Sequence, residues 1–498
     1  MGVIRRQGIK HSVVTFTGVF LGMINVLFVY TYALTKTELG LIRYLISAAT
    51  LIVPFISLGI TSVAIRFFPN FKNEQNGHNG FLFFLLIIPL LGYFFFLVFI
   101  YFLKDNVLSY FENQEDAVLY ITYVPYIALL VLGIAYSYLL VNYCSNFKLI
   151  VIPSILNDLF LKVALPVLSL SYFFDYISFD TLINFFVGAF LFIPIALLCY
   201  LWYLGELHLK PRFKFFKKPL LKEIGNYASY RFFGVIGTVA ATQIDIYMVG
   251  TLIDLGNAGI YTIALFISTV VGVPMKSLFS ISAPIIAESW LANNIAKIDE
   301  IYKKTSINLL IFGVLFLTGI WSSIDYIFDI LPNGEDYRPG KYVVLILGLA
   351  KLVDMTGGVN THIIAYSKLY RFDLYLSLTL AGLNILFNLL FIPKFGIVGA
   401  ALATLTSMFI FNLVKFLFVL IKFKIQPFAW SMFWTLLLGI GLFGLTILIP
   451  DTIYPLLNIV INSVVISIIF IGVIFYFNVS EDITNLKSIV FDKIRTFY

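Results

Sequence analysis

The chain of 498 residues is 60% hydrophobic and 12% charged, with a formal net charge of +7, whereas soluble domains carry roughly 25% charged residues. A water-soluble fold is excluded, and there is enough apolar sequence for a dozen or more membrane helices of about 20 residues each. The basic excess lies mostly in short connections between apolar runs, where it sets orientation and does not form a nucleic-acid surface, and the two cysteines, Cys144 and Cys199, cannot build a disulfide framework or a tetrahedral metal site.

The first apolar run, from Val13 to Leu34 after Arg5, Arg6 and Lys10, is too long for a signal-peptide core. It reads as a retained helix. Breaks in hydropathy then predict fourteen spans: 11–34, 41–65, 81–103, 118–141, 150–172, 181–204, 227–253, 258–284, 305–325, 342–367, 374–392, 397–421, 430–449 and 457–477. The expected fold is an all-α polytopic membrane protein. Two six-helix lobes, 1–204 and 227–425, surround a central cavity and are joined by a basic cytoplasmic linker at 205–226. Two extra helices within 426–477 and a cytoplasmic tail at 478–498 complete it. No connection is long enough for an extramembrane domain.

An even number of spans puts both termini on one side of the membrane. Of the 33 Lys and Arg, 22 fall on that side and 5 on the other, which predicts cytoplasmic termini. The densest run is Lys210-Pro-Arg-Phe-Lys-Phe-Phe-Lys-Lys-Pro219, with Lys222 after it. It is placed to act as a hinge and to lie on an anionic leaflet.

An internal repeat supports two lobes. Pro54-Phe-Ile-Ser57-Leu58 and Pro274-Met-Lys-Ser277-Leu278 share P-x-x-S-L at an offset of 220 residues, which Ser62 and Ser282 keep. Glu38-Leu-Gly40 and Asn257-Ala-Gly259 precede them in the same order. Halves repeated in parallel topology suit alternating access around a central site.

Six basic residues fall inside predicted spans: Arg43, Lys162, Arg231, Lys276, Lys351 and Lys415. Charges within a bilayer are expensive and mark function or pairing. At a rise of 1.5 Å per residue, Lys162, Asp158, Lys276, Lys351 and Asp354 come out near mid-membrane. Arg43 and Asp245 lie toward the outer leaflet, and Arg231 and Lys415 are close enough to the cytoplasmic interface to snorkel. Asp158 and Lys162 at i,i+4, and Lys351 and Asp354 at i,i+3, could neutralise each other, and Arg43 could pair with Asp245. Lys276, next to Pro274 and with no acidic neighbour within four residues, is the leading candidate for contact with an anionic substrate, assisted by Arg43, Lys351 and Lys162. Asp245, with Asp158 and Asp354, is a candidate for coupling to H+ or Na+. His362 is expected to be a packing residue more than a proton relay. No catalytic residue, metal ligand set or cofactor is expected.

These motifs resemble a family. Ser57-Leu-Gly-Ile-Thr, Gln243-Ile-Asp245-Ile-Tyr-Met-Val-Gly250, Asn257-Ala-Gly259-Ile-Tyr261 and above all Ile392-Pro-Lys-Phe-Gly396-Ile-Val-Gly-Ala-Ala-Leu-Ala-Thr404 look like the polysaccharide-biosynthesis branch of the multidrug/oligosaccharidyl-lipid/polysaccharide exporter superfamily. That branch includes the Wzx-type O-antigen flippases. The resemblance runs through the first twelve spans. It implies a flippase that moves a polyprenyl-diphosphate-linked oligosaccharide from the cytoplasmic to the outer leaflet of a bacterial inner membrane, in the service of lipopolysaccharide or another surface polysaccharide. It also implies glycosyltransferases or a polymerase as neighbours in the pathway, and no nucleic acid. Lipid II flippases concentrate arginines in span one; here no basic residue stands between Lys10 and Lys36, which argues against a peptidoglycan precursor. The competing readings are an organic-cation exporter, disfavoured by the mid-membrane lysines, and an integral-membrane polymerase or acyltransferase, disfavoured by short outer loops that lack histidine.

Overall fold

The computed structural model describes residues 14, 17–112, 114–147, 150–212, 215–446, 452–477 and 479. The basic amino end, Lys148, Lys214 and the tail from 480 onward lie outside the described residues. The described residues contain helices and no strands. Among the described residues ten helices are long and apolar enough to cross a membrane, and the pair Gly334–Thr356 and Asn360–Tyr366, bent by 48°, makes an eleventh. Thr17–Ala33 and Trp430–Leu445 are shorter apolar helices.

One of the ten, Phe372–Phe423, is 52 residues long. At 1.5 Å per residue a continuous helix would be about 78 Å long, more than twice the roughly 30 Å hydrocarbon core. It is divided at Gly396, whose φ of 58° and ψ of −138° are non-helical. A Cβ on Gly399 would lie 2.2 Å from the Phe391 carbonyl oxygen, a contact that requires the chain to fold back. Split there, the described helices account for the fourteen spans. The chain is a multi-pass membrane protein.

The chain forms two compact units, Met1–Gly259 and Ile260–Tyr498. In the first, Lys36–Ser57 is the central helix, bounded by a capping box in which Glu38 N–H donates to the Thr35 hydroxyl and the Thr35 N–H donates to the Glu38 carboxylate at 2.8 Å. It ends at Leu58 and Gly59, both left-handed, before Ile60–Arg66 resumes. Span two is therefore broken immediately after its P-x-x-S-L motif. Lys218–Leu252 packs along this helix within the first unit: Ser47 donates to Gln243 at 2.9 Å and Tyr44 stacks on Tyr247 at 5.3 Å. The compact boundary thus falls after the seventh span, whereas the sequence pattern suggests one at 205–226; the linker is the densest run of charge, but the contacts of the seventh helix are with the second.

The linker's first half is held down on this unit. Phe71 packs against Phe215 and Phe216 at 5.1 and 5.2 Å, and Arg212 donates to Asn76 at 2.7 Å. In the second unit, Ile295–Ser322 is central, and the last two helices pack onto it: a Cβ on Gly439 would meet Val314 at 2.4 Å, and Asn462 donates to the Ser322 carbonyl at 3.0 Å.

Candidate functional site

Each unit carries its own charged groups within apolar helices. In the first, Arg43 lies two turns inside Lys36–Ser57, half-buried. Among the described residues its guanidinium has no hydrogen bond or ion pair, so the alternative of a pair with Asp245 is not formed. Asp245 is 8% exposed, two residues beyond Gln243, the group that fastens its helix to Ser47.

Lys162 is positioned by two departures from regular helix. Ile155–Leu159 and Asn25–Val29 are π turns, which often mark functional places because they widen the backbone ring. Asn25, 5% exposed, donates to the Lys162 carbonyl at 2.6 Å. The Lys162 side chain lies along Gly18 and Gly22; a Cβ on Gly18 would sit 3.2 Å from its Nζ. Asp158 accepts from Asn157 at 2.9 Å.

In the second unit, Val270–Gly272 tightens to a 3-10 turn and Pro274 opens the helix Val273–Leu291. A proline fits there because a first-turn N–H has no helical partner. The two copies of P-x-x-S-L therefore differ locally: Pro54 lies near the end of its helix and Pro274 at the start of one. Lys276 follows, exposed, with no hydrogen bond or ion pair among the described residues. Lys351 flanks the same break, since a Cβ on Gly272 would lie 3.7 Å from its Cδ. Lys351 does not pair with Asp354, which instead accepts from Asn412 at 3.2 Å.

Lys415 corrects an expectation. It does not snorkel: it is 3% exposed, donates to the Thr361 hydroxyl at 2.8 Å and lies 3.9 Å over the Phe411 ring. Thr361 follows the break at 357–359 and faces the helix that carries Lys415, so the ammonium finds its partner inside. Arg231 is exposed and donates to Ser62 at 3.0 Å. His362 packs edge-on against Phe279 at 5.1 Å, and its Nδ1 is buried without a partner among the described residues.

Sequence reasoning missed the π turns, the Asp354–Asn412 contact and a cluster of His78, Glu206 and His208 at the loop end of the first unit. Only the histidines were visible beforehand, and their separation along the chain hid the cluster.

The chain is 25% identical over 283 residues to a probable low-salt glycan biosynthesis flippase, Agl15, of Haloferax volcanii, and the match takes in 54% of this chain and 56% of that relative. The chain thus spans about half the length of the curated relative it matches. Its fold is similar to that of a lipid II flippase, MurJ, in an inward closed conformation, with a TM-score of 0.73 and 13% identity over 95% of this chain and 100% of that one. It is also similar to a multidrug resistance MATE family transporter in an inward-facing conformation, with a TM-score of 0.61 and 13% identity over 82% and 94%. These likenesses show a shared helical fold. The profile described as polysaccharide biosynthesis protein matches residues 4–290, more than half of the chain, and the chain belongs to that family.

Proposed function

We propose that this protein is a flippase for a lipid-linked glycan, carrying a polyprenyl-diphosphate-linked oligosaccharide from the cytoplasmic to the outer leaflet of a bacterial inner membrane, with both termini cytoplasmic. The observation that carries the reading is Lys276: exposed, and unpaired among the described residues, within the apolar stretch Leu255–Leu291. An ammonium facing hydrocarbon without a partner is costly, so such a group faces water or an anion. Lys351 beside the same break, and Arg43 and Lys162 in the other unit, extend the cationic character. A fixed cation offsets much of the cost of moving a diphosphate through low dielectric, and the fork of Arg43 suits phosphate oxygens.

The family and the glycan flippase relative support a saccharide cargo. The Lys and Arg bias supports the orientation. O-antigen or another surface-polysaccharide repeat fits as cargo, with glycosyltransferases or a polymerase acting before and after it. Alternating access by two lobes, and coupling of Asp245, aided by Asp158 and Asp354, to H+ or Na+, complete the proposal.

The test is complementation of a deletion strain, with protein level measured in membranes. Lys276→Ala is expected to abolish surface-glycan assembly at normal protein level, and Lys276→Arg to retain part of it because the charge survives. Lys422→Ala, at an exposed position near the end of its helix, serves as control. Full complementation by Lys276→Ala would overturn the role of Lys276.

A further inference from the structure

At the loop end of the first unit, residues 73–80 meet the connection that follows Phe179–Tyr203. Gly77, His78, Asn79 and Gly80 hold consecutive left-handed φ values of 56°, 47°, 53° and 75°. L-residues avoid that hand, and strain of this kind gathers where a side chain must be held in one place. The turn is fitted to its partner segment. A Cβ on Gly77 would lie 3.1 Å from the His208 side chain, and one on Gly80 would lie 2.7 Å from the Arg212 nitrogen.

The result is a convergence of three ligating groups. His78, 1% exposed, places Nε2 2.7 Å from Glu206 Oε2, and His208 Nε2 lies 3.9 Å from the same oxygen. All three ligating atoms fall within 4.8 Å of one another. A cavity of about 380 Å³ opens beside them, with Lys72, Glu74 and Asn146 on its wall.

We propose that His78, Glu206 and His208 form a binding site for a divalent first-row transition metal, with Zn2+ the best fit, that clasps the start of the linker to the 73–80 turn. Two imidazole nitrogens and one carboxylate oxygen are a zinc donor set, and the cavity leaves room for water as the fourth ligand. Ca2+ and Mg2+ prefer oxygen ligands throughout. At metal–ligand distances of about 2.0–2.2 Å, tetrahedral ligands sit about 3.3 Å apart. The His78–Glu206 contact would open by a few tenths of an ångström and His208, 33% exposed, would close by a similar amount.

The protons balance. The Asn73 N–H points at His78 Nδ1 from 3.2 Å, so without metal the ring carries its proton on Nε2 and donates it to Glu206. On binding, the metal takes the Nε2 lone pair and the proton relocates to Nδ1 through solvent. The Asn73 amide belongs to an exposed residue and turns to water, and no net proton leaves the imidazole. The site stands apart from the charged groups assigned to transport and does not depend on that assignment.

The experiment uses the full-length protein, purified without a polyhistidine tag and stripped with chelator. Co2+ is titrated by visible absorption and Zn2+ by calorimetry. One metal per chain and the absorption bands of tetrahedral cobalt are expected. His208→Ala, which leaves the His78–Glu206 hydrogen bond in place, should weaken binding at least tenfold. Glu206→Gln, which keeps the shape, should do the same. Zn2+ should also slow tryptic cleavage after Arg212 in the wild type but not in His208→Ala. No stoichiometric binding, equal affinity in wild type and His208→Ala, or binding lost in His11→Ala and kept in His208→Ala would each overturn the site.

Discussion

Two lysines in apolar helices have opposite surroundings, and the difference predicts opposite phenotypes. Lys415 is enclosed, with its ammonium on Thr361 and its stem over Phe411. Removing it would take away the donor to Thr361, whose hydroxyl keeps only its 3.3 Å bond to Asn360, and leave a cavity, a loss of about 2 kcal/mol. Lys415→Ala is expected to lower the melting temperature in detergent, and Lys415→Met, which keeps the volume, to lower it less. Among the described residues, Arg43 has no hydrogen bond or ion pair to lose. Arg43→Gln should leave the melting temperature unchanged while reducing transport, and Arg43→Lys should retain part of it, both measured on the same preparations. The sequence was sufficient to count these charges and place them on their helices. It could not show which were satisfied, because the partners are remote: Thr361 is 54 residues from Lys415 and Asn412 is 58 from Asp354. Lys351 and Asp354 stand three residues apart on one regular helix, yet Asp354 takes its hydrogen bond from Asn412 on another helix, so local spacing alone does not identify the partner.

The legible elements were those whose signals are local. Fourteen apolar runs, and a chain reversal at Ile392-Pro-Lys-Phe-Gly396, follow from hydropathy and from the one residue type that accepts the Gly396 backbone. That position yields a test. A Cβ on Gly396 meets nothing within 4 Å, so any penalty is backbone conformation alone. Gly396→Ala is expected to cost about 1–3 kcal/mol, read as a lower melting temperature. Gly396→Asn should not rescue it, because asparagine tolerates the left-handed helical well and not a ψ of −138°. The breaks at Leu58–Gly59 and at Val270–Gly272 were legible only as prolines nearby. Whether a proline ends a helix or opens one depends on which backbone groups its neighbours can satisfy.

For the whole molecule, the family and the fold are shown, and the compact units divide after Gly259. If Asp245 couples transport to an ion, Asp245→Asn should abolish the response to an imposed proton or sodium gradient in vesicles while insertion and folding persist; an unchanged response would remove it from that role. The repeat also reaches deeper than its prolines. Thr35 caps the helix of Gly40, and Asp254 caps that of Gly259 by accepting from the Asn257 N–H at 2.6 Å. The two glycines touch: a Cβ on Gly40 would lie 1.7 Å from the Leu255 oxygen, and one on Gly259 would lie 2.1 Å from the Lys36 oxygen. Equivalent positions of the repeat are thus each other's neighbours, and a methyl group at either site would push apart the same pair of helices. The alanine substitutions should therefore be strongly non-additive, with the double variant scarcely worse than either single one. Drift at one of these duplicated positions is constrained by its own copy.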